Sequence, residues 1–132
     1  MNRKKLLEHL VLLMFFIFIM NSLALQFYWY YSIWYFDIIM HFLSGFWVSL
    51  FFIYVFYVRK QIFTRLFPIF LFVLLIGISW ELYEFYIYQY ISQIPFDILD
   101  TTSDIFFDLS GGLCAILYLL VPLENQRTGS KE

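Results

Sequence analysis

From Leu66 to Tyr90 the chain reads LFPIFLFVLLIGISWELYEFYIYQY, without a single Lys or Arg. About 20 mostly apolar residues of helix cross a hydrocarbon core about 30 Å thick, so this stretch is long enough to span a bilayer. Pro68 suits the first turn, where its missing N–H has no helical partner to lose. Two residues in the stretch, Glu81 and Glu84, are foreign to lipid. At a rise of about 1.5 Å per residue, Glu81 stands about 20 Å from Pro68 and roughly 10 Å short of the far boundary. The segment reads as a membrane helix that carries acid at depth.

The rest of the chain follows the same pattern. Further spans are expected at about 8–27, 37–58 and 102–121, the last closed by Pro122 and followed by a polar tail over 122–132. Tyr28-Trp-Tyr-Tyr31 and Trp34-Tyr-Phe36 form an aromatic belt suited to the headgroup level. Over its 132 residues the chain is 63% hydrophobic and 14% charged, against about 45–50% and about 25% in an ordinary globular domain. A soluble domain and a disordered chain are both excluded by that balance. Eight Lys/Arg against ten Asp/Glu leave no basic excess for nucleic acid. Strand-type alternation is absent, which excludes a membrane barrel. The lone Cys114 lies in an apolar run and reads as a small buried hydrophobe. The expected fold is all-α: one polytopic membrane domain over 1–132, built as a four-transmembrane-helix bundle.

Cations set the expected orientation. Arg3, Lys4 and Lys5 precede the first span, Arg59, Lys60 and Arg65 join the second to the third, and Arg127 and Lys131 follow the fourth. The positive-inside rule puts these segments, and both termini, on the cytoplasmic side. The expected location is the cytoplasmic (inner) membrane, with the lipid bilayer as the surrounding partner. Ser22-Leu23-Ala24 also fits a signal-peptide cleavage site, but the apolar character runs unbroken past Ala24 and favours a retained span.

The acids sort the other way. Glu8, Glu124 and Glu132 accompany the cations, while Asp37, Glu81, Glu84, Asp97, Asp100, Asp104 and Asp108 fall at the outer ends of the helices together with His41. Asp37 and His41 are one turn apart, as are Asp104 and Asp108, so each pair shares a helix face, as do Glu81 and Glu84 at a spacing of three. Ordinary roles exist for several of them. Asp97 and Asp100 fit a solvated turn, and Asp100 or Thr101 is a natural N-cap. Thr101-x-x-Asp104 resembles a capping box, and Asp37 could anchor at the interface. A lone histidine is more often a hydrogen-bonded core residue than a ligand. Glu81, Glu84 and Asp108 have no such role, because a carboxylate at mid-span costs about 2.5–3.5 kcal/mol on insertion scales.

With no Lys or Arg on that side, the acids must be protonated, relay protons, or hold a cation. The candidate metal ligands are Asp37, His41, Glu81, Glu84, Asp104 and Asp108, with Asp97 and Asp100 as further candidates. Oxygen donors in this number suit Mg²⁺, Mn²⁺ or Ca²⁺, and His41 admits Zn²⁺ or iron. Trp80, Tyr83 and Tyr86 are expected to shape a pocket beside them. The Glu-x-x-His pairs of di-iron bundles, Gly-rich phosphate loops and zinc-protease helices are all missing.

Asp37-x-x-x-His41-Phe42-x-x-Gly45, Trp80-Glu81-x-x-Glu84, and Asp97-x-x-Asp100-Thr101-x-x-Asp104 with Gly111 beyond it together resemble the YjdF-like family of small bacterial inner-membrane proteins. More distantly they are similar to VanZ-like proteins, which are associated with glycopeptide-antibiotic resistance and the cell envelope. The resemblance covers roughly residues 35–115 and implies a multi-helix membrane domain with these polar residues as its shared core. It implies no established chemistry. The usual Arg near the VanZ-like acidic helix has no counterpart in this chain.

Three functional classes fit these observations. One is a cation-dependent enzyme acting on a lipid-linked envelope molecule. Another is proton or cation transport, for which no acid appears in the inner half of the last three spans; assembly into an oligomer could supply the missing path. The third is a non-catalytic envelope scaffold. A metal-binding envelope protein needs the least beyond the charge arithmetic and leads the three.

Overall fold

The structure, a computed structural model, describes residues 2–128. Met1 and the end of the expected tail, residues 129–132, lie outside the described residues. All regular structure among the described residues is helical: α1 (Arg3–Phe27), α2 (Trp29–Ser32), α3 (Phe36–Val55), α4 (Leu66–Ile87) and α5 (Ile98–Thr128). Two short 3₁₀ turns, Val58–Gln61 and Phe63–Arg65, join α3 to α4, and a π-helical turn at Tyr88–Ser92 closes α4. Four of these segments are long and apolar enough to cross a membrane: Arg3–Phe27, Phe36–Val55, Phe63–Ser92 and Ile98–Val121.

Local chemistry explains the ends. Asn2 caps α1, its side chain accepting the Lys5 N–H at 2.9 Å. α5 opens at Ile98 instead of near Thr102, because Asp97 is the residue that caps it. The Asp97 carboxylate accepts the N–H groups of Leu99 at 2.9 Å and Asp100 at 3.4 Å. Asp100 and Thr101 therefore lie inside the helix, and no capping box forms at Thr101. At its far end α5 continues past Pro122 to Thr128, whereas the apolar span stops at Val121.

Apolar burial cannot drive helices together in lipid, so close packing must do it. The closest packing is between α3 and α5. A Cβ on Gly45 would land on the Asp108 carbonyl, and one on Gly111 would land on the Phe42 carbonyl. The two glycines thus bring the helix backbones into contact at a single level. Below that level, Leu50, Ile53, Ile69, Ala115, Ile116 and Leu119 fill the centre of the bundle, with Leu6 and Leu10 of α1 against them. α1 packs more loosely and is held to α3 by the Trp47 indole N–H, which donates to the Leu10 carbonyl at 2.9 Å.

One contact fixes which ends lie together. Tyr57 takes a left-handed conformation (φ 57°) after α3. The Arg3 guanidinium sits 4.2 Å from the Tyr57 ring centre and donates to its hydroxyl at 2.9 Å. The basic start of α1 and the basic turn after α3 therefore share one end of the bundle. Asp37 of α3, Glu81 and Glu84 of α4, and Asp100, Asp104 and Asp108 of α5 lie toward the other.

Candidate functional site

Antiparallel crossing of α4 against α3 and α5 puts Asp37 and His41 of α3, Glu81 of α4, and Asp104 and Asp108 of α5 around one point. His41 is that point. Its Nδ1 lies 3.3 Å from Asp108 Oδ1. Its Nε2 lies 3.7 Å from Asp37 Oδ1, 3.8 Å from Asp104 Oδ2 and 4.0 Å from Glu81 Oε1. His41, Glu81, Asp104 and Asp108 are buried, at 5%, 7%, 1% and 5% exposure. Only Asp37 opens outward, with 31% of its side chain exposed. Among the described residues, every close ion pair of these carboxylates is with His41.

The two ring nitrogens of His41 face different surroundings. A protonated Nδ1 donates to Asp108 across 3.3 Å; in the neutral imidazole of that tautomer Nε2 turns its lone pair to the other three carboxylates, and in the imidazolium it turns an N–H to them. At 3.7–4.0 Å those oxygens are too far for hydrogen bonds to Nε2. Glu81 Oε1 and Asp104 Oδ2, the atoms nearest Nε2 from α4 and α5, are buried without any hydrogen-bond partner. Orphaned oxygens at such depth are expensive, and their convergence on one ring nitrogen calls for a positive charge among them, either an imidazolium proton or a bound cation. Asp37, His41 and Asp104 each offer a donor atom within 4.8 Å of the others. Donors set tetrahedrally at ~2.0–2.1 Å around a metal stand ~3.3 Å apart, so the observed spacing closes onto an ion with shifts of about half an ångström.

Asp108 is held by the helices around it. Its backbone carbonyl rests against Gly45, and its carboxylate fills the space that a Cβ on Gly77 would enter, 2.7 Å from Oδ2. Gly77 is thus a site residue that the charge pattern does not reveal. Its only sequence signal is the spacing Gly77-x-x-x-Glu81, which puts both on the face of α4 turned to the bundle.

The remaining expected residues sit elsewhere. Glu84 stands half-buried at the edge, accepting the Trp80 indole N–H at 3.0 Å. Trp80, Tyr83 and Tyr86 do not line the cluster; they are 51%, 55% and 57% exposed on the outer surface of α4. The reason is angular. With Gly77 and Glu81 facing inward, positions 83 and 86 point away and position 80 to the side at about 100° per residue. Asp97 is committed to capping α5, and Asp100 is exposed. Tyr30 of α2 packs edge to face on Phe36, the neighbour of Asp37. Burial, and then the charges of Asp37 and Glu84, push its hydroxyl up to about 12, so it stays protonated and donates to Asn21 Oδ1 at 2.7 Å.

Neither a curated protein nor a solved structure matches the chain significantly. A family model does, and the matched stretch, residues 1–125, takes in all four spans and every member of the His41 cluster. With its helices, its acid-lined interior and this match in agreement, the chain belongs to the family described as "Predicted membrane protein (DUF2238)".

Proposed function

We propose that the protein holds a divalent cation near the outer leaflet, with His41 Nε2, Asp37, Glu81 and Asp104 as ligands. In this reading Asp108 orients the imidazole, Glu84 marks the rim, and Asp97 and Asp100 lie outside the ligand set. The observation that carries it is the pair of buried, unpartnered oxygens, Glu81 Oε1 and Asp104 Oδ2, turned toward one nitrogen. Membership of a YjdF-like group with distant VanZ-like kin, and work in the envelope of a bacterial inner membrane on a lipid-linked molecule, belong to the same proposal. The motif order Asp37/His41, Glu81 and Asp104 supports it.

The inner half of the bundle favours a held cation over a conducted one. Below the cluster the centre is filled by Leu50, Ile53, Ile69, Ile116 and Leu119, which offer an ion no ligand. Protein purified in detergent is expected to retain Mn²⁺ or Zn²⁺ near one equivalent, and Glu81→Ala to lose it. Equal metal content in wild type and variant sinks the reading.

Orientation is tested separately. Against a Cys114→Ser background, Ser92→Cys is expected to react with a membrane-impermeant maleimide added to whole cells. Lys60→Cys is expected to react only after permeabilisation. The reverse pattern overturns the assignment of the acidic end to the outer side.

A further inference from the structure

We infer that the site selects a zinc-class transition-metal ion, Zn²⁺ or Co²⁺, over Mg²⁺ and Ca²⁺, and that Asp108 sets this choice by positioning His41. The inference rests on the proposed cation site and narrows it. Three features of the geometry lead to it.

First, the donor set contains a nitrogen at its centre. Three carboxylate oxygens reach toward Nε2 from three different residues at 3.7, 3.8 and 4.0 Å. Imidazole nitrogen suits zinc-class ions, whereas Mg²⁺ and Ca²⁺ take oxygen. Second, the number of donors is small and the space dry. Ca²⁺ needs about 6–8 oxygens, and Mg²⁺ holds a near-octahedral shell and keeps several of its waters. With Asp104 1%, His41 5% and Glu81 7% exposed, three of the four ligands are closed off from retained water, and Asp37 alone opens outward. Asp37, His41 and Asp104 offer three donors within 4.8 Å of one another, and Glu81, 4.0 Å from Nε2, is placed to bring the fourth of the tetrahedral set that Zn²⁺ favours. Third, the imidazole is supported from behind. A ligating histidine commonly donates its other ring N–H to a carboxylate, which fixes ring orientation and raises ligand basicity. Asp108 Oδ1 stands 3.3 Å from Nδ1 in that position. Gly77 leaves room for the Asp108 carboxylate, since a Cβ there would lie 2.7 Å from Oδ2. An all-oxygen site for a hard cation has no use for this support.

The test loads the purified, full-length protein with Co²⁺ and reads its visible absorption. The expected spectrum has the intense bands of four-coordinate cobalt. One equivalent of Zn²⁺ abolishes them, and a thousandfold excess of Mg²⁺ or Ca²⁺ leaves them in place. Asp108→Asn is expected to weaken Co²⁺ binding by about 10–100-fold and shift the bands, with gel filtration in detergent unchanged. Gly77→Ala should weaken binding in the same direction, and should it fail to fold, Asp108→Asn carries the positioning claim alone. Displacement of Co²⁺ by Mg²⁺ or Ca²⁺ at comparable concentration overturns the selectivity while leaving a cation site in place. The weak bands of six-coordinate cobalt overturn the four-donor geometry. Unaltered affinity and spectrum in Asp108→Asn overturn the positioning role. Binding of none of these ions removes the site itself.

Discussion

Gly45→Ala and Gly111→Ala are each expected to abolish recovery of folded, monodisperse protein in detergent, while Gly112→Ala folds and melts within a few degrees of wild type. The three substitutions add the same methyl group to one neighbourhood. They differ in what that methyl meets. At Gly45 and Gly111 the added carbon falls on the carbonyl of the facing helix, Asp108 and Phe42 respectively, and neither oxygen can move without its backbone. At Gly112 the nearest atom is Val73 Cγ2 at 3.3 Å, the end of a side chain that can yield by a few tenths of an ångström. Overpacking a well-packed interior costs about 1–3 kcal/mol, and more where rigid backbone must separate. Separation here opens the α3–α5 seam on which small residues hold the bundle together in lipid. It also moves the His41 ligands relative to one another, because Gly45 lies one turn below His41 and Gly111 three residues past Asp108. Detergent gel filtration and thermal melts of the three variants check this. Normal folding of Gly45→Ala would show that the seam is slacker than the geometry requires.

The spans are legible in the sequence because crossing a bilayer demands length and apolarity, and both can be read residue by residue. The acidic residues are legible for a related reason: burying Glu81 or Asp108 in lipid is costly enough that chance seldom leaves them there. What cannot be read is which way each helix faces. Apolar residues are spread evenly around α4, so nothing in its pattern distinguishes the bundle side from the lipid side. Glu81 and Glu84 therefore look equivalent, although only Glu81 reaches His41, and Trp80, Tyr83 and Tyr86 look like a pocket wall although they face outward. The start of α5 is hidden by redundancy. Asp97, Asp100 and Thr101 all make good N-caps, and the choice falls to the connecting segment, in which Gln93 takes a left-handed conformation (φ 53°) before a run without regular structure. Asp108 shows the same limit at atomic scale. Its residue type and depth suggest a metal ligand, but its carboxylate lies on the Nδ1 side of the ring, which makes it the support of a ligand.

Asp104→Asn should reverse the order of stability according to whether metal is present. In metal-free protein Asp104 Oδ2 is an unpartnered oxygen at 1% exposure, close to other carboxyl groups. The amide takes one ionisable acid out of the cluster. With a small shift across the 3.8 Å gap, its N–H can also donate to His41 Nε2. Relieving an unsatisfied buried polar group gains on the order of 1–3 kcal/mol, so the metal-free variant is expected to melt above metal-free wild type. Adding Zn²⁺ inverts this. An ion bound only by the folded state stabilises it by about 4 kcal/mol at a thousandfold excess over its dissociation constant, and the neutral amide forfeits most of that gain. Wild type should thus rise past the variant on addition of Zn²⁺, while Asp104→Asn barely responds. The crossing of the two melting temperatures separates a site built for a cation from a merely structural network. In a structural network Asp104 would be a satisfied hydrogen-bond acceptor, and its replacement would lower stability with and without metal alike. A variant that is destabilised under both conditions therefore removes the argument from the orphaned oxygens, and with it the main support for a bound ion.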